Sequence, residues 1–424
     1  MRTVLTSQEA AALDAVDEAA LAALLLDILA VPSVTGSAAE SELQHRLARE
    51  LGRFGPDVDL WSMDLPGLRA APGFPGTEVP RDEAWGLVAT LPGAGDGPTV
   101  ILQGHVDVVP PGDLAQWAGD PFVPRVRGDV VHGRGACDMK AGVVANVAAL
   151  AAIRASGVRL RGTVAGHFVV GEEDGGIGAF GTLHRGHRGD ACVISEPTGG
   201  TLVTANAGAL TFRITVPGRS AHASTRDAGV SAIDAYGPIA AALARLELVR
   251  NKEPDPLMAE YPIPYSVSVG MLQAGDWASS VPGLLVADGR LGLRLGEEPV
   301  AARAEFERRI AEACASDPWL REHPAVVTWP GGQFASGRLP AGHPLREVVG
   351  TAHADATGAP RARERGAPYG SDLRLYAGAG IPTLQYGPGD VRLAHGPDER
   401  VSLAETVAVA RTLVLTTLRT AGTA

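Results

Sequence analysis

The sequence predicts an α/β protein: a mainly parallel sheet covered by helices, with a smaller β-α-β-β-α-β domain inserted. Three observations predict it. Apolar, strand-length runs alternate with helix-like stretches through the first half of the chain, the pattern of parallel sheets. Several of these runs end in His, Asp or Glu, and sites in such sheets collect at the carboxyl ends of strands. After about Asn206 the order of elements changes to the ferredoxin-like unit, which is complete in itself.

Taken in order, Thr6-Ser-Gln-Glu9 and Ser37-Ala-Ala-Glu40 read as capping boxes. They open helical stretches ending near Pro32 and Gly52. Strands are expected at 58–63, 85–91 and 99–109, and a short strand and turn at 128–135. The Pro- and Gly-rich segment 65–80 reads as a surface loop. An Ala-rich helix is expected at 140–156, then strands at 163–170 and 191–195. In the insert, strands are expected at 210–216, 265–272, 284–295 and 325–329, and helices at 231–246 and 299–315. The insert is placed at 207–332, leaving 1–206 and 333–424 as one discontinuous domain closed by a helix capped at Ser402.

The 424 residues suffice for two sizeable cores, and 45% hydrophobic with 20% charged residues is ordinary for a soluble protein. A net charge of −11 argues against nucleic-acid and anionic-membrane partners. Cys137, Cys192 and Cys314 form no disulfide framework and fit a reducing compartment. The acidic N-terminal stretch (Glu9, Asp14, Asp17, Glu18) is unlike a signal peptide, and the apolar run 21–31 is too short to span a bilayer. A cytoplasmic location is expected.

Five clusters carry the chemistry. His105-Val-Asp107 ends an apolar run, with both side chains expected on one face of the strand. Arg134-Gly-Ala-Cys-Asp138-Met-Lys places a carboxylate in a Gly-rich turn before a helix. Gly171-Glu172-Glu173-Asp174-Gly-Gly176, Ser195-Glu196-Pro-Thr198 and His395-Gly-Pro-Asp-Glu399 complete the set. Singly, each acid reads as a turn or cap residue, and each His as a structural residue. Jointly they need a cation, since buried carboxylates repel and resist ionisation. Two His with several carboxylates and no nearby thiolate suggest zinc, with cobalt or manganese as alternatives.

These five motifs in order, together with the insert, resemble the M20 metallopeptidase family, the group of acetylornithine deacetylase, succinyl-diaminopimelate desuccinylase and aminoacylase-1. The resemblance implies two divalent metal ions bridged by Asp138, with His105 and Glu196 completing one site and Glu173 and His395 the other. It implies Asp107 as the partner that orients His105, Glu172 as general base, and a cis Asp138-Met139 peptide. Gly218-Arg-Ser-Ala-His222 resembles the family's lid segment, whose His stabilises the oxyanion in the partner subunit's active site. The insert is thereby a dimerisation and lid domain, and the protein a homodimer. Arg290 and the Tyr369-Gly370-Ser371-Asp-Leu-Arg374 turn fall at the substrate pocket. Gly370 and Ser371 are expected to contact a substrate carboxylate, and Arg374 to pair with one bidentately. Ser279 departs from the Asn usual in the family, which leaves that substrate contact open. Cys137 reads as a packing residue. The implied activity is metal-dependent hydrolysis of an N-acyl amino acid amide bond, in the manner of a deacetylase or desuccinylase. A dipeptidase or carboxypeptidase on the same scaffold is the alternative, and a non-catalytic binding protein a remote one.

Overall fold

The computed structural model describes residues 4–424, and the chain divides into two compact units. The first runs through Ala205 and takes up again with Arg338–Arg365 and Asp372–Ala424. The second comprises Asn206–Gly337, to which the short segment Gly366–Ser371 belongs. Against the expected insert at 207–332, the unit gains residues at both ends and that detached turn.

The first unit is built on a mixed sheet with a parallel centre. Its four parallel strands lie in the order Thr163–Val169, Thr99–His105, Ala191–Ile194 and Thr383–Gln385. Trp85–Leu91 and then Asp57–Ser62 extend one side in antiparallel fashion, and Leu202–Asn206 joins the other antiparallel. The central strands are buried along nearly their whole length, as expected of strands covered on both faces. The helix Ala141–Ala155 packs beside them, almost entirely buried. Gly142 makes that approach possible, because a Cβ there would lie 2.0 Å from the Ser195 carbonyl oxygen. The strand expected to run to 109 ends at His105, and Asp107 lies just beyond it.

Three local expectations are corrected. The first helical stretch is two helices, Ser7–Asp14 and Glu18–Leu29, because Asp17 caps a new start by accepting the Ala20 N–H at 2.9 Å. The Thr6 capping box closes on both sides, with Glu9 N to Thr6 Oγ1 at 3.1 Å and Thr6 N to Glu9 Oε2 at 2.8 Å. The Ser37 box does not form: Ser37 makes no side-chain cap, and Glu40 is turned into the interior. Segment 65–80 is not a surface loop throughout. It begins as the helix Leu65–Ala70, capped by Asp64, with Leu65 and Leu68 buried. It then returns against the 171–176 turn, where Glu78 N donates to Asp174 O at 3.2 Å.

The buried end of that return is an ion-pair network. Arg81 donates to Glu40 Oε2 and to Asp174 Oδ1, each at 3.1 Å, with its side chain fully buried. Glu40 Oε2 also accepts Gly36 N at 2.7 Å, and its Oε1 accepts Gly171 N at 3.0 Å. Burial and the nearby Asp107 carboxylate push the Glu40 acid up to about 8, against the pull of Arg81. The network therefore fixes the backbone on both sides of Glu172 and Glu173.

The second unit is a five-stranded antiparallel sheet with two helices, Ala232–Arg250 and Pro299–Ser316; four strands form its ferredoxin-like core and the short Gln333–Phe334 also pairs with Gly208–Pro217. Strands lie in the order Val267–Ala274, Leu284–Leu293, Gly208–Pro217, Val326–Thr328, so the first and last in sequence are neighbours, as in ferredoxin-like units. Alternate residues Leu210, Phe212, Ile214 and Val216 face its core, where the Phe212 and Phe306 ring centroids are 4.6 Å apart. Val267–Ala274 is an edge strand with Met271 and Leu272 half exposed.

Arg81→Met leaves Glu40 and Asp174 buried without their cation. The expected cost is about 3–5 kcal/mol, read as a lower urea midpoint with faster amide exchange at Gly171. An unchanged midpoint and unchanged exchange would remove Arg81 from this role.

Candidate metal centre

The parallel register sets the site. His105 pairs with Val169, and Gln103 with Ile194, so the three strands end level with one another. The strand ends therefore deliver their acids and imidazole to the same place: His105 itself, Glu172 and Glu173 just past one neighbour, and Glu196 just past the other. His105 Nε2 lies 3.2 Å from Asp138 Oδ1 and 3.9 Å from Glu196 Oε2. His395 Nε2 lies 3.5 Å from Asp138 Oδ2 and 3.2 Å from Glu173 Oε2. The two oxygens of Asp138 thus face different histidines, each histidine accompanied by one glutamate. Ligand atoms of His105, Asp138 and Glu173 all fall within 4.8 Å of one another. The Asp138-Met139 peptide is cis.

The charge of the cluster is lopsided. Asp107, Glu172, Glu196 and Asp372 are buried, and Asp138 and Glu173 nearly so. Against these carboxylates stand two imidazoles and Arg374. Two unit charges 4.8 Å apart repel by roughly 3 kcal/mol in a protein-like dielectric. Burial, then the charges of Asp372 and Glu196, push the Glu172 acid well up. Burial and then Asp138 raise that of Glu173. Burial lifts Glu196 to about 8 even with His105 alongside. For Asp138 burial works in the same direction, but hydrogen bonds from His105 and His395 outweigh it and hold its carboxyl below the usual range. The bonds to Asp138 and Glu173 raise His395 to about 11. Imidazoles so strongly driven to carry charge mark positions where a divalent cation would sit in place of protons. The donor set fits such a group: two histidines, three carboxylates, and no thiolate. Cys137 is fully buried, its thiol pushed up by burial and directed at Asp390 O at 3.7 Å.

Asp107 does more than orient a ring. His105 Nδ1 is 3.0 Å from the Asp107 backbone oxygen and 3.5 Å from its carboxylate. The carboxylate itself accepts Glu172 N at 3.1 Å, Glu173 N at 3.2 Å and the Thr35 hydroxyl at 2.5 Å. It therefore positions the turn that carries both glutamates. On the opposite side, His395 adopts a left-handed backbone (φ 61°), alone among the described non-glycine residues, which costs about 1 kcal/mol.

Other groups lacked a role in the sequence reading. Asp372 is fully buried; its Oδ2 accepts Gln103 Nε2 at 2.9 Å, while its Oδ1 has no hydrogen-bond partner. Burial lifts its acid to about 6, against Arg374. The sequence signal for it is the Asp that closes Gly370-Ser371-Asp372. Arg374, expected to pair with a substrate carboxylate, is buried, and its Nη2 donates to Gly175 O at 2.6 Å. It braces the 171–176 turn.

The remaining expected residues belong to the second unit. His222 is exposed; its Nδ1 accepts Ser224 N at 3.2 Å and lies 2.8 Å from Ser224 Oγ. That assignment leaves the proton on Nε2. The Arg290 guanidinium lies 5.8 Å from the Phe334 ring centroid. Gly370 packs on the same ring, where a Cβ would approach Phe334 to 2.6 Å, and Ser371 is buried. Arg290, Gly370 and Phe334 are thus brought together, and Phe334 had no counterpart in the sequence reading.

Comparison with known proteins agrees with this geometry. Residues 101–419 match the model of peptidase family M20/M25/M40. The chain is 33% identical over 277 residues to a succinyl-diaminopimelate desuccinylase of Leptothrix cholodnii, covering 59% of this chain and 70% of that protein. It is 26% identical over 422 residues to an N-formyl-4-amino-5-aminomethyl-2-methylpyrimidine deformylase of Halalkalibacterium halodurans, covering 93% and 92%. In fold it is similar to an M20 family metallo-carboxypeptidase of Sulfolobus solfataricus, with a TM-score of 0.76 at 14% identity over 95% of this chain and 99% of that one. With most of its length matched, the chain belongs to the M20/M25/M40 peptidase family of amide-bond hydrolases.

Proposed function

We propose that this protein is a two-zinc amidohydrolase that removes the acyl group from an N-acylated amino acid or similar small amine. The observation that carries the reading is the arrangement about Asp138, whose two oxygens face two histidine–glutamate pairs. His105, Asp138 and Glu196 would hold one ion, and His395, Asp138 and Glu173 the other. Zinc suits this donor set, with cobalt or manganese as substitutes. Divalent metals in such a centre supply Lewis-acid polarisation of the scissile carbonyl and acidification of water.

The chain's own residues do the rest. Glu172 is buried beside the donors without belonging to either trio, and its raised pKa suits a base that accepts a proton and returns it. Its carboxylate takes the proton of the attacking water and delivers it to the leaving nitrogen. Asp107 keeps Glu172 and Glu173 in place through their backbone N–H groups. His222, protonated on Nε2, supplies a donor for the developing oxyanion. Arg290, beside Phe334 and Gly370, offers a cation to a carboxylate on the substrate.

Deacylation is favoured over dipeptide cleavage because both curated relatives above carry names of enzymes that remove an acyl group, formyl or succinyl. The exposed edge strand Val267–Ala274, with Met271 and Leu272 half exposed and Trp277 nearby largely exposed, supports pairing with a second copy. His222 then acts in the partner's active site. Three free, buried cysteines accord with a cytoplasmic setting.

A hydrolysis screen over formyl-, acetyl- and succinyl-amino acids, with dipeptides alongside, tests the substrate class. Chelation is expected to abolish turnover and zinc to restore it. Glu172→Gln is expected to keep its metal while kcat falls by about 100-fold or more; wild-type turnover would remove Glu172 as the base. Mixing inactive Glu172→Gln with inactive His222→Ala is expected to restore about a quarter of wild-type activity, through the mixed half of a dimer population. A mixture as inactive as its components would exclude action across the dimer.

A further inference from the structure

We propose that the buried Glu399–Arg134 pair is the positioning device for one half of the metal centre, the half formed by Asp138, Glu173 and His395. The inference rests on the two-metal reading above, and it assigns work to two residues that touch neither substrate nor metal.

Glu399 is 1% exposed and its carboxylate accepts four hydrogen bonds. Oε2 accepts Arg134 Nη1 at 2.7 Å and Gly135 N at 2.9 Å. Oε1 accepts Cys137 N and Asp138 N, each at 3.1 Å. Three of the four donors are backbone N–H groups of the turn that delivers Asp138. The carboxylate therefore holds that turn as an anion holds a nest of amides. Arg134 is also 1% exposed, and its second nitrogen, Nη2, donates to the His395 carbonyl oxygen at 3.1 Å. That carbonyl belongs to the residue held in the left-handed region. One ion pair thus ties together two segments 257 positions apart in sequence (395 − 138), each of which ends in a metal donor.

The consequence is asymmetric. His105 and Glu196 are carried by strand ends that neither Glu399 nor Arg134 touches. Of the trio around His395, both Asp138 and His395 depend on the pair. Disturbing it leaves one trio with two undisturbed donors and the other with one.

Glu399→Gln keeps the shape but turns one edge of the side chain into an N–H₂ donor facing backbone or guanidinium donors. Arg134→Lys keeps a positive charge against Glu399 and gives up the bond to His395. Wild type and both variants would be loaded with zinc and equilibrated against buffered free zinc. Bound metal would be counted by elemental mass spectrometry, and folding followed by circular dichroism and melting temperature. We expect folded variants that keep the first equivalent within about threefold of wild-type affinity, since two of its three donors are undisturbed. The second should weaken by about 10- to 100-fold in Glu399→Gln and by less in Arg134→Lys. Folded variants that bind both equivalents like wild type overturn the proposal, as do variants that lose both equivalents to the same degree. Should Glu399→Gln fail to fold, Arg134→Lys decides by the same criterion. Wild type binding fewer than two equivalents would overturn the two-metal reading itself. Two bound equivalents without amide hydrolysis would overturn the proposed activity and leave the role of Glu399 standing.

Discussion

The constraint on which the rest depends is a surplus of buried carboxylate. Level parallel strands bring Glu172, Glu173 and Glu196 to one place, the turn before the helix Ala141–Ala155 adds Asp138, and Asp107 and Asp372 lie behind them. Nothing in a folded chain tolerates that without compensation, because each acid loses water and meets its neighbours' charge. The architecture around the site is a set of answers to this one problem. Asp107 is satisfied by two backbone amides and a hydroxyl, and its carboxyl is held below the usual range despite burial, by His105 and these donors. Asp138 is satisfied by two imidazoles. Glu40 and Asp174, one layer out, share Arg81. The residual deficit falls on Glu172, Glu173 and Glu196, and divalent cations, in the function proposed above, would complete the balance.

These compensations also explain the rigidity a hydrolytic centre needs. The turn 171–176 is gripped from several directions: Asp107 on the Glu172 and Glu173 amides, Glu40 on the Gly171 amide, Arg374 on the Gly175 carbonyl. Such a turn cannot drift by the ångström that would disable a general base. In the second unit, exposed Arg290 stands on the sheet that has its own core, and exposed His222 on a separate two-stranded ladder of Ala221–His222 with Ser280–Val281.

Much of this was legible in the sequence, for identifiable reasons. An apolar run ending in His or Glu carries both the strand and its chemistry, so His105, Glu172, Glu173 and Glu196 stood out. The β-α-β-β-α-β order was readable because alternation at 210–216 and helical spacing at 231–246 are local signals. The failures were long-range. Ser37-Ala-Ala-Glu40 has the local form of a capping box, but Glu40 answers to Arg81, 41 positions away, and to Gly171. The 65–80 segment has loop composition, yet Arg81 just after it is wholly buried because two acids require it. Arg374 drew a substrate role from its place in a turn resembling the family's substrate pocket; the fold adds that its Nη2 donates to Gly175 O, a partner 199 positions away. Glu399 lay inside a recognised motif but gave no sign that its partners were the amides of residues 135–138.

The central claim is that two cations sit on either side of Asp138. Diffraction from zinc-soaked crystals, collected at the zinc absorption edge, tests it most directly. Two anomalous peaks are predicted: one among His105, Asp138 and Glu196, the other among His395, Asp138 and Glu173. A map without peaks at Asp138, or with a single peak whose ligands leave Glu196 or His395 uninvolved, would contradict the account.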